Sequence, residues 1–322
     1  MKALRTLLFL FLLATLTLVC PTVAEEHGGE KPLVVCTTHV LGSVVEELAG
    51  DEVEVVVFVQ PGICPAFYDV KPSDVYALSK AKMIFFHGFE MKMWLKDMLK
   101  ASGNPNITMV QVKGPWNTPE GAKQYVKCIG GNLTEHLGVD VSERMGRMIS
   151  TIDEVASLLR DEAERRGVGD VKVVCMKWQS SFVEWLGFKI VAVYGPPESL
   201  STADITNITN TAKREGAMLV VDNLQSGTDF GAELASEIGA VHVFLTNFPN
   251  AIPGTANLTE MFKYNARQLF DAVATWRSTQ ALRREVESLK DRLMLLQTLL
   301  YVAVAVIVVE SVTIVWRKYT KK

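Results

Sequence analysis

Two apolar periodicities alternate along this chain. Lys31 to Thr37, Glu52 to Val59, Met83 to Phe86 and Met109 to Val112 are short runs rich in Val, Ile, Phe and Met, which predicts strands. Between them, Val40 to Leu48, Pro72 to Ala81 with Ser73 as N-cap, and Glu90 to Leu99 read as helices. Strand followed by helix is the signature of parallel α/β packing. The pattern changes after Val141. From Ser142 to Arg166, Met145, Met148, Ile149, Ile152, Val155 and Leu159 recur at helical spacing, and Gly167 and Gly169 close the run. Alternation then restarts. Strands are predicted from Val171 to Cys175, Phe188 to Tyr194, Met218 to Val221 and Val241 to Leu245. Helices are predicted from Ser180 to Leu186, Thr202 to Arg214, Ala232 to Ile238 and Leu258 to about Arg277. The predicted fold class is α/β: two Rossmann-like lobes, at 31–141 and 168–277, joined by one long helix at 142–167.

Apolar segments also flank the lobes. Lys2 and Arg5 precede an apolar run from Leu7 to Val19, and Thr22-Val23-Ala24 offers a cleavage site, which predicts a signal peptide at 1–24. An uncleaved anchor is the alternative. Cys20 fits a lipid-attachment site poorly, because Thr17-Leu18-Val19 precedes it. At the other end, Leu299 to Trp316 carries one charge, Glu310. As a helix it spans about 27 Å, close to the thickness of a bilayer core. Arg317, Lys318, Lys321 and Lys322 follow, so the expected topology is single-pass, with the tail at 317–322 cytoplasmic and the lobes extracytoplasmic. In the segment 278–298, Leu282, Val286, Leu289, Leu293, Leu296 and, just beyond it, Leu300 step by four and three. That spacing is a heptad seam, which serves either a homodimer or a stalk that lifts the lobes off the membrane.

Composition narrows the function classes. A net charge of −3 with 21 % charged residues gives no footprint for nucleic acid. No nucleophile–base pairing, phosphate loop or paired-histidine zinc helix stands out, so an enzyme is not expected. Asn106, Asn132, Asn207 and Asn257 begin glycosylation sequons. Apart from Cys20 the chain has Cys36, Cys64, Cys128 and Cys175, an even set that reads as disulfides, as soft-metal ligands or as small core residues.

Several segments form a distinctive set: Cys36-Thr37-Thr38-His39, Gly50-Asp51-Glu52-Val53-Glu54-Val55, the stretch Pro61-Gly62-Ile63-Cys64-Pro65-Ala66-Phe67-Tyr68-Asp69 with Lys71-Pro72-Ser73-Asp74 after it, Met83 to Gly88, and Trp94-Leu95. Together they resemble the zinc- and manganese-receptor subunits of ABC importers. The resemblance runs from Leu33 to Val273 and is more specific in the first lobe. It implies two lobes hinged by the long helix, a metal ion or metal chelate between them, and ABC permease and ATPase subunits as partners. The family's usual ligands are three histidines and an acid. Their positions fall here on Ala66, near Gly114, on Met176, and near Thr246 or Asn247. Ordinary zinc or manganese ligation is therefore not expected.

The residues suggest other donors. Strand C-termini line the ligand crevice of such lobes, which would bring Cys36, Cys64, Cys175 and Met176 to one cleft. Thiolate and thioether donors favour a soft ion such as copper over zinc or manganese; disulfides, or no cofactor at all, are the alternatives. Thr38, His39, Trp116, Asp222 and Asn247 are the other candidate ligand-binding residues, with Trp178 a further aromatic for the cleft. His39 and His87 stand at segment ends, where a histidine is either hydrogen-bonded in place or a ligand. The function expected is a membrane-anchored solute-binding protein. The alternative is a surface scaffold or sensor that kept the lobes and lost metal binding.

Overall fold

The computed structural model describes residues 31–320. The predicted signal peptide, Cys20 and the last two lysines lie outside the described residues. The first lobe is a four-stranded sheet of β1 (Leu33–Thr38), β2 (Glu54–Val59), β3 (Met83–Phe86) and β4 (Thr108–Gln111). Its strands are all parallel, in the order β2-β1-β3-β4. Helices α1 (His39–Ala49), α2 (Pro72–Lys80), α3 (Leu95–Ser102) and α4 (Pro119–Leu137) cover its faces. The second lobe repeats the plan. β5 (Lys172–Met176), β6 (Lys189–Tyr194), β7 (Leu219–Asn223) and β8 (Val241–Leu245) are parallel in the order β6-β5-β7-β8. Between the lobes runs α5 (Ser142–Arg165), the predicted connecting helix. The second lobe carries α6 (Ser180–Trp185), α7 (Thr202–Glu215), α8 (Asp229–Ile238) and α9 (Leu258–Tyr319).

Strands buried on both faces explain why the predicted runs were continuous rather than alternating. Each lobe has an outer apolar layer of its own, built around Leu78, Ile84 and Leu95 in the first and Val174, Tyr194 and Leu234 in the second. The inner layer is shared. One core runs from Val34 and Leu41 through Met148 and Ile152 of α5 to Phe182, Phe262 and Leu269. Arg277 of α9 donates to the carbonyls of Arg166 and Gly167, at 2.8 and 3.0 Å, and so ties off the end of α5.

Three local expectations are corrected. Ser73 does not cap α2. Lys71 is the N-cap, Pro72 takes the first helical position, and the Asp74 carboxylate accepts from the Lys71 N–H at 3.1 Å. The helix predicted from Glu90 to Leu99 is split into a 3-10 turn, Phe89–Lys92, and α3. Trp94 interrupts it, with φ of −145° and its indole N–H donated to the Pro65 carbonyl at 3.0 Å. Finally, the last lobe helix, the stalk and the apolar segment are not separate pieces. They form the single helix α9, with the apolar stretch fully exposed, and it is the one helix among the described residues long and apolar enough to cross a membrane.

Candidate interlobe site

In a doubly wound sheet the ligand crevice opens where neighbouring crossovers leave to opposite sides, at the strand C-termini. Here that is the end of β1 beside β3 and, in the second lobe, the end of β5 beside β7. The loops leaving these ends meet. Trp116, after β4, donates its indole N–H to the Asn247 carbonyl at 2.6 Å and stacks on Phe248 with ring centroids 6.0 Å apart. The Asn117 amide donates to the Trp178 carbonyl at 2.8 Å and to Asn247 Oδ1 at 3.2 Å. Asn247 Nδ2 donates to the same Trp178 carbonyl at 3.2 Å. Gln225 donates to the Pro61 carbonyl at 3.0 Å and to Thr246 Oγ1 at 2.9 Å. At the rim, Asn250 Nδ2 donates to His39 Nε2 at 2.9 Å. The seam is thus bridged by neutral amides, indole and imidazole, and none of the ion pairs among the described residues crosses it.

Beneath Trp116 lies a buried relay. Thr38 Oγ1 is 2.7 Å from His87 Nε2, and His87 Nδ1 is 2.9 Å from the Tyr125 hydroxyl. That hydroxyl has one proton, and the Gly114 carbonyl is 3.2 Å away to accept it. Tyr125 therefore accepts from His87 Nδ1–H, and Nε2 accepts from Thr38. Burial pushes the His87 pKa down to about 3, which keeps the ring neutral. Its lone pair is already used, so His87 is a positioned histidine rather than a free ligand. Glu90 is buried beside it. Its carboxylate accepts from Thr37 Oγ1 at 2.6 Å and from the backbone N–H groups of His87 and Gly88, at 3.2 and 2.8 Å. Hydrogen bonds to three donors let a carboxylate stay buried. In the second lobe, Gln179 donates to Asn223 Oδ1 at 2.9 Å, while its own Oε1 is buried and has no partner among the described residues.

The predicted soft-donor set is not assembled. Successive side chains of a strand point to opposite faces. Cys175 accordingly packs in the shared inner core and Met176 in the outer layer of its lobe. Cys36 is also fully buried in the inner core, and only Cys64 is partly exposed near the seam. Burial pushes the pKa of both core thiols upward, with Glu46 adding to it at Cys36 and Glu184 and Asp222 at Cys175. Such thiols resist becoming the thiolates that metals need. The disulfide reading is corrected as well, since Cys36, Cys64, Cys128 and Cys175 are all free. Among the described residues, no group of three or more His, Cys, Asp or Glu could hold a metal ion. Of the other candidates, Thr38, His39, Trp116 and Asn247 lie at the seam or in the relay below it. Asp222 does not. It faces the outer layer, where it accepts from the Tyr194 hydroxyl and pairs with His242 Nε2 at 2.8 Å. Asn117, Gln225, Gln179 and Phe248 were missed, and the only signal for them was an amide or aromatic residue just past a strand end.

The model of the zinc-uptake complex component A family, described as periplasmic, matches residues 34–272. The chain belongs to this family. Among curated relatives, the manganese ABC transporter substrate-binding lipoprotein PsaA of Streptococcus pneumoniae serotype 4 is 33 % identical over 93 residues, 29 % of this chain and 30 % of the relative. The manganese-binding lipoprotein MntA of Halalkalibacterium halodurans is 30 % identical over 91 residues, 27 % of this chain and 30 % of the relative. The chain thus aligns with less than a third of the length of these relatives. A crystal structure of ZnuA superposes with a TM-score of 0.65 at 19 % identity, over 76 % of this chain and all of that one. The cadmium-bound periplasmic metal-binding protein of Candidatus Liberibacter asiaticus gives 0.66 at 16 % identity, with the same coverage. At such identities these two structures speak for the fold, and they bear out the two-lobed α/β architecture.

Proposed function

We propose that this chain is the membrane-tethered, extracytoplasmic substrate-binding subunit of an ABC importer, and that it takes a metal chelate rather than a bare metal ion. Its partners in this reading are a permease and an ATPase, and it performs no catalysis itself. The observation that carries the proposal is the neutral seam. At the strand ends where such lobes hold cargo, Trp116, Asn117, Gln225 and Asn247 offer amides and aromatic rings, and the one imidazole at the rim, His39, is already bonded to Asn250. Neutral hydrogen-bonding groups suit the organic shell of a chelate, and bare zinc or manganese wants nitrogen and carboxylate donors. Bare copper(I) is not the cargo in this reading, because Cys36, Cys175 and Met176 do not converge. The tether is the apolar end of α9, with Arg317 and Lys318 on the cytoplasmic side.

One observation favours a second reading, a scaffold that carries no cargo: protein atoms already close the seam through the Trp116–Asn247 and Asn117–Trp178 bonds. Native mass spectrometry of the full-length chain, paired with elemental analysis, separates the two. A released organic mass bearing metal supports the receptor. One tightly bound bare zinc or manganese ion per chain refutes the neutral-seam argument, and an empty seam from every growth condition leaves the scaffold.

A further inference from the structure

The helix α9 leaves the second lobe with a row of large apolar side chains turned to solvent. Leu282, Val286, Leu289, Leu293, Leu296 and Leu300 are 62, 42, 56, 57, 63 and 61 % exposed. One exposed leucine needs no explanation, but a row at alternating steps of four and three is the spacing by which helices pack side by side. We propose that this row is the interface with a second copy of this chain, and that it continues into the membrane, where the two Glu310 residues meet.

Two further observations identify the occupant. The first is charge. With Val286 and Leu293 at one set of core positions and Leu289 and Leu296 at the other, Glu285 flanks the seam at the end of one heptad and Lys290 flanks it in the next. In a parallel pair of identical helices these two positions face each other, once on each side of the two-fold axis. The pair is therefore Glu285 with Lys290 of the other copy, made twice. The remaining flanking charges are not set against their like: Arg283 faces Ser278, and Arg292 faces Gln297. Neither Glu285 nor Lys290 takes part in an ion pair within the chain, among the described residues. Two copies inserted the same way into one membrane also have to be parallel.

The second observation is register. The helix is unbroken from Leu258 to Tyr319, so the seam can be followed into the apolar segment. Continuing the same steps from Leu300 leads to Ala303, Ile307 and then Glu310, fourteen residues beyond Leu296. The one charge of the span thus falls on the seam rather than beside it. Acidic side chains within a membrane face a partner or a polar interior, and here the seam supplies the partner. A straight helix would drift about 20° per heptad from this line, and a left-handed supercoil of the two copies removes the drift.

The test uses the full-length chain in lipid nanodiscs or native membranes, and it is independent of any cargo. Leu289→Cys and Leu296→Cys give a disulfide-linked dimer on mild oxidation, and Asp291→Cys, on the opposite face, does not. Glu285→Lys and Lys290→Glu each weaken association about tenfold, since each replaces two attractions by two repulsions. The double variant Glu285→Lys/Lys290→Glu restores it. Glu310→Leu inserts normally and lowers the dimer fraction. Equal cross-linking from Asp291→Cys, or a double variant as weak as the singles, overturns the proposal. So does cross-linking to a protein of another mass, which would assign the seam to an importer subunit. An unchanged dimer fraction in Glu310→Leu overturns its membrane part. None of these failures would touch the substrate-binding reading.

Discussion

His87 makes the stability of the lobes depend on acid. In the folded protein burial lowers its pKa from 6.5 to about 3, while in the unfolded chain it titrates near its ordinary value. Between those two values the unfolded chain binds a proton that the native one refuses, so stability falls as pH falls. Above about pH 6.5 the ring is neutral in both states and costs nothing. At pH 4 the difference amounts to about 3 kcal/mol, with a limiting slope near 1.4 kcal/mol per pH unit. The groups around the ring are Thr38, Tyr125, Trp116, Phe89 and the buried Glu90. Burial and Glu90 push the Tyr125 pKa upward, out of this window. The assay is urea unfolding of the full-length chain and its His87→Gln variant from pH 7 to pH 4. Tryptophan fluorescence suits it, because the Trp116 ring lies 4.5 Å from His87. The variant loses about 1–2 kcal/mol at pH 7 through its hydrogen bonds. Its decline toward pH 4 should be shallower than that of the wild type by about 3 kcal/mol. Parallel curves for the two proteins would refute the claim that His87 is held neutral by the fold.

Other consequences follow from single contacts. Gly231→Ala in α8 should destabilise by about 3 kcal/mol, read as a lowered Tm, even though alanine favours helices. Its new Cβ would sit 2.0 Å from Asp222 Oδ2 and break the buried Tyr194–Asp222–His242 cluster; an unchanged Tm would show that the cluster moves aside freely. Alkylation of the unreduced chain, mapped by peptide mass, should label Cys64 and Cys128 in the folded state and add Cys36 and Cys175 on denaturation. Any of the four resistant to labelling until reductant is added would restore the disulfide reading.

Much of the fold was legible because its physics is local. Parallel strands buried on both faces must be runs such as Leu33-Val34-Val35 and Met83-Ile84-Phe85, and the connecting helix declared itself by Met148, Ile152 and Val155. The errors arose where a distant partner decided. Nothing near Trp94 in the chain says that its indole reaches back to Pro65. The soft-metal set failed for a reason that the strand period itself contains. Cys175 and Met176 are neighbours in β5, so their side chains leave by opposite faces, and one cleft cannot readily receive both. The seam was visible only in part. His39, Trp116 and Asn247 stood among the candidates, but Asn117 and Gln225 follow no spacing rule, because amides in loops are placed by the sheets beneath them.

Frame and seam are thus held together by different interactions. The shared inner core holds the lobes through apolar packing alone, so it does not depend on what the loops above it bind. The helix α9 connects that frame to both of its ends. Its first turns are core, with Met261, Phe262 and Leu269 buried. Within them Asn265 clamps the seam loop, accepting from the Thr246 N–H at 3.0 Å and donating to the Thr246 carbonyl at 2.8 Å. The same helix then runs on without a break to the apolar stretch at Leu299, about 50 Å farther along by helical rise. A flexible linker would let the lobes tumble independently of the apolar segment. A continuous helix instead fixes Thr246 and its neighbours in rotation and height relative to the apolar segment. Whatever meets the seam therefore meets it at one orientation, and a second copy packed along Leu282 to Leu300 would hold two seams in a fixed relation.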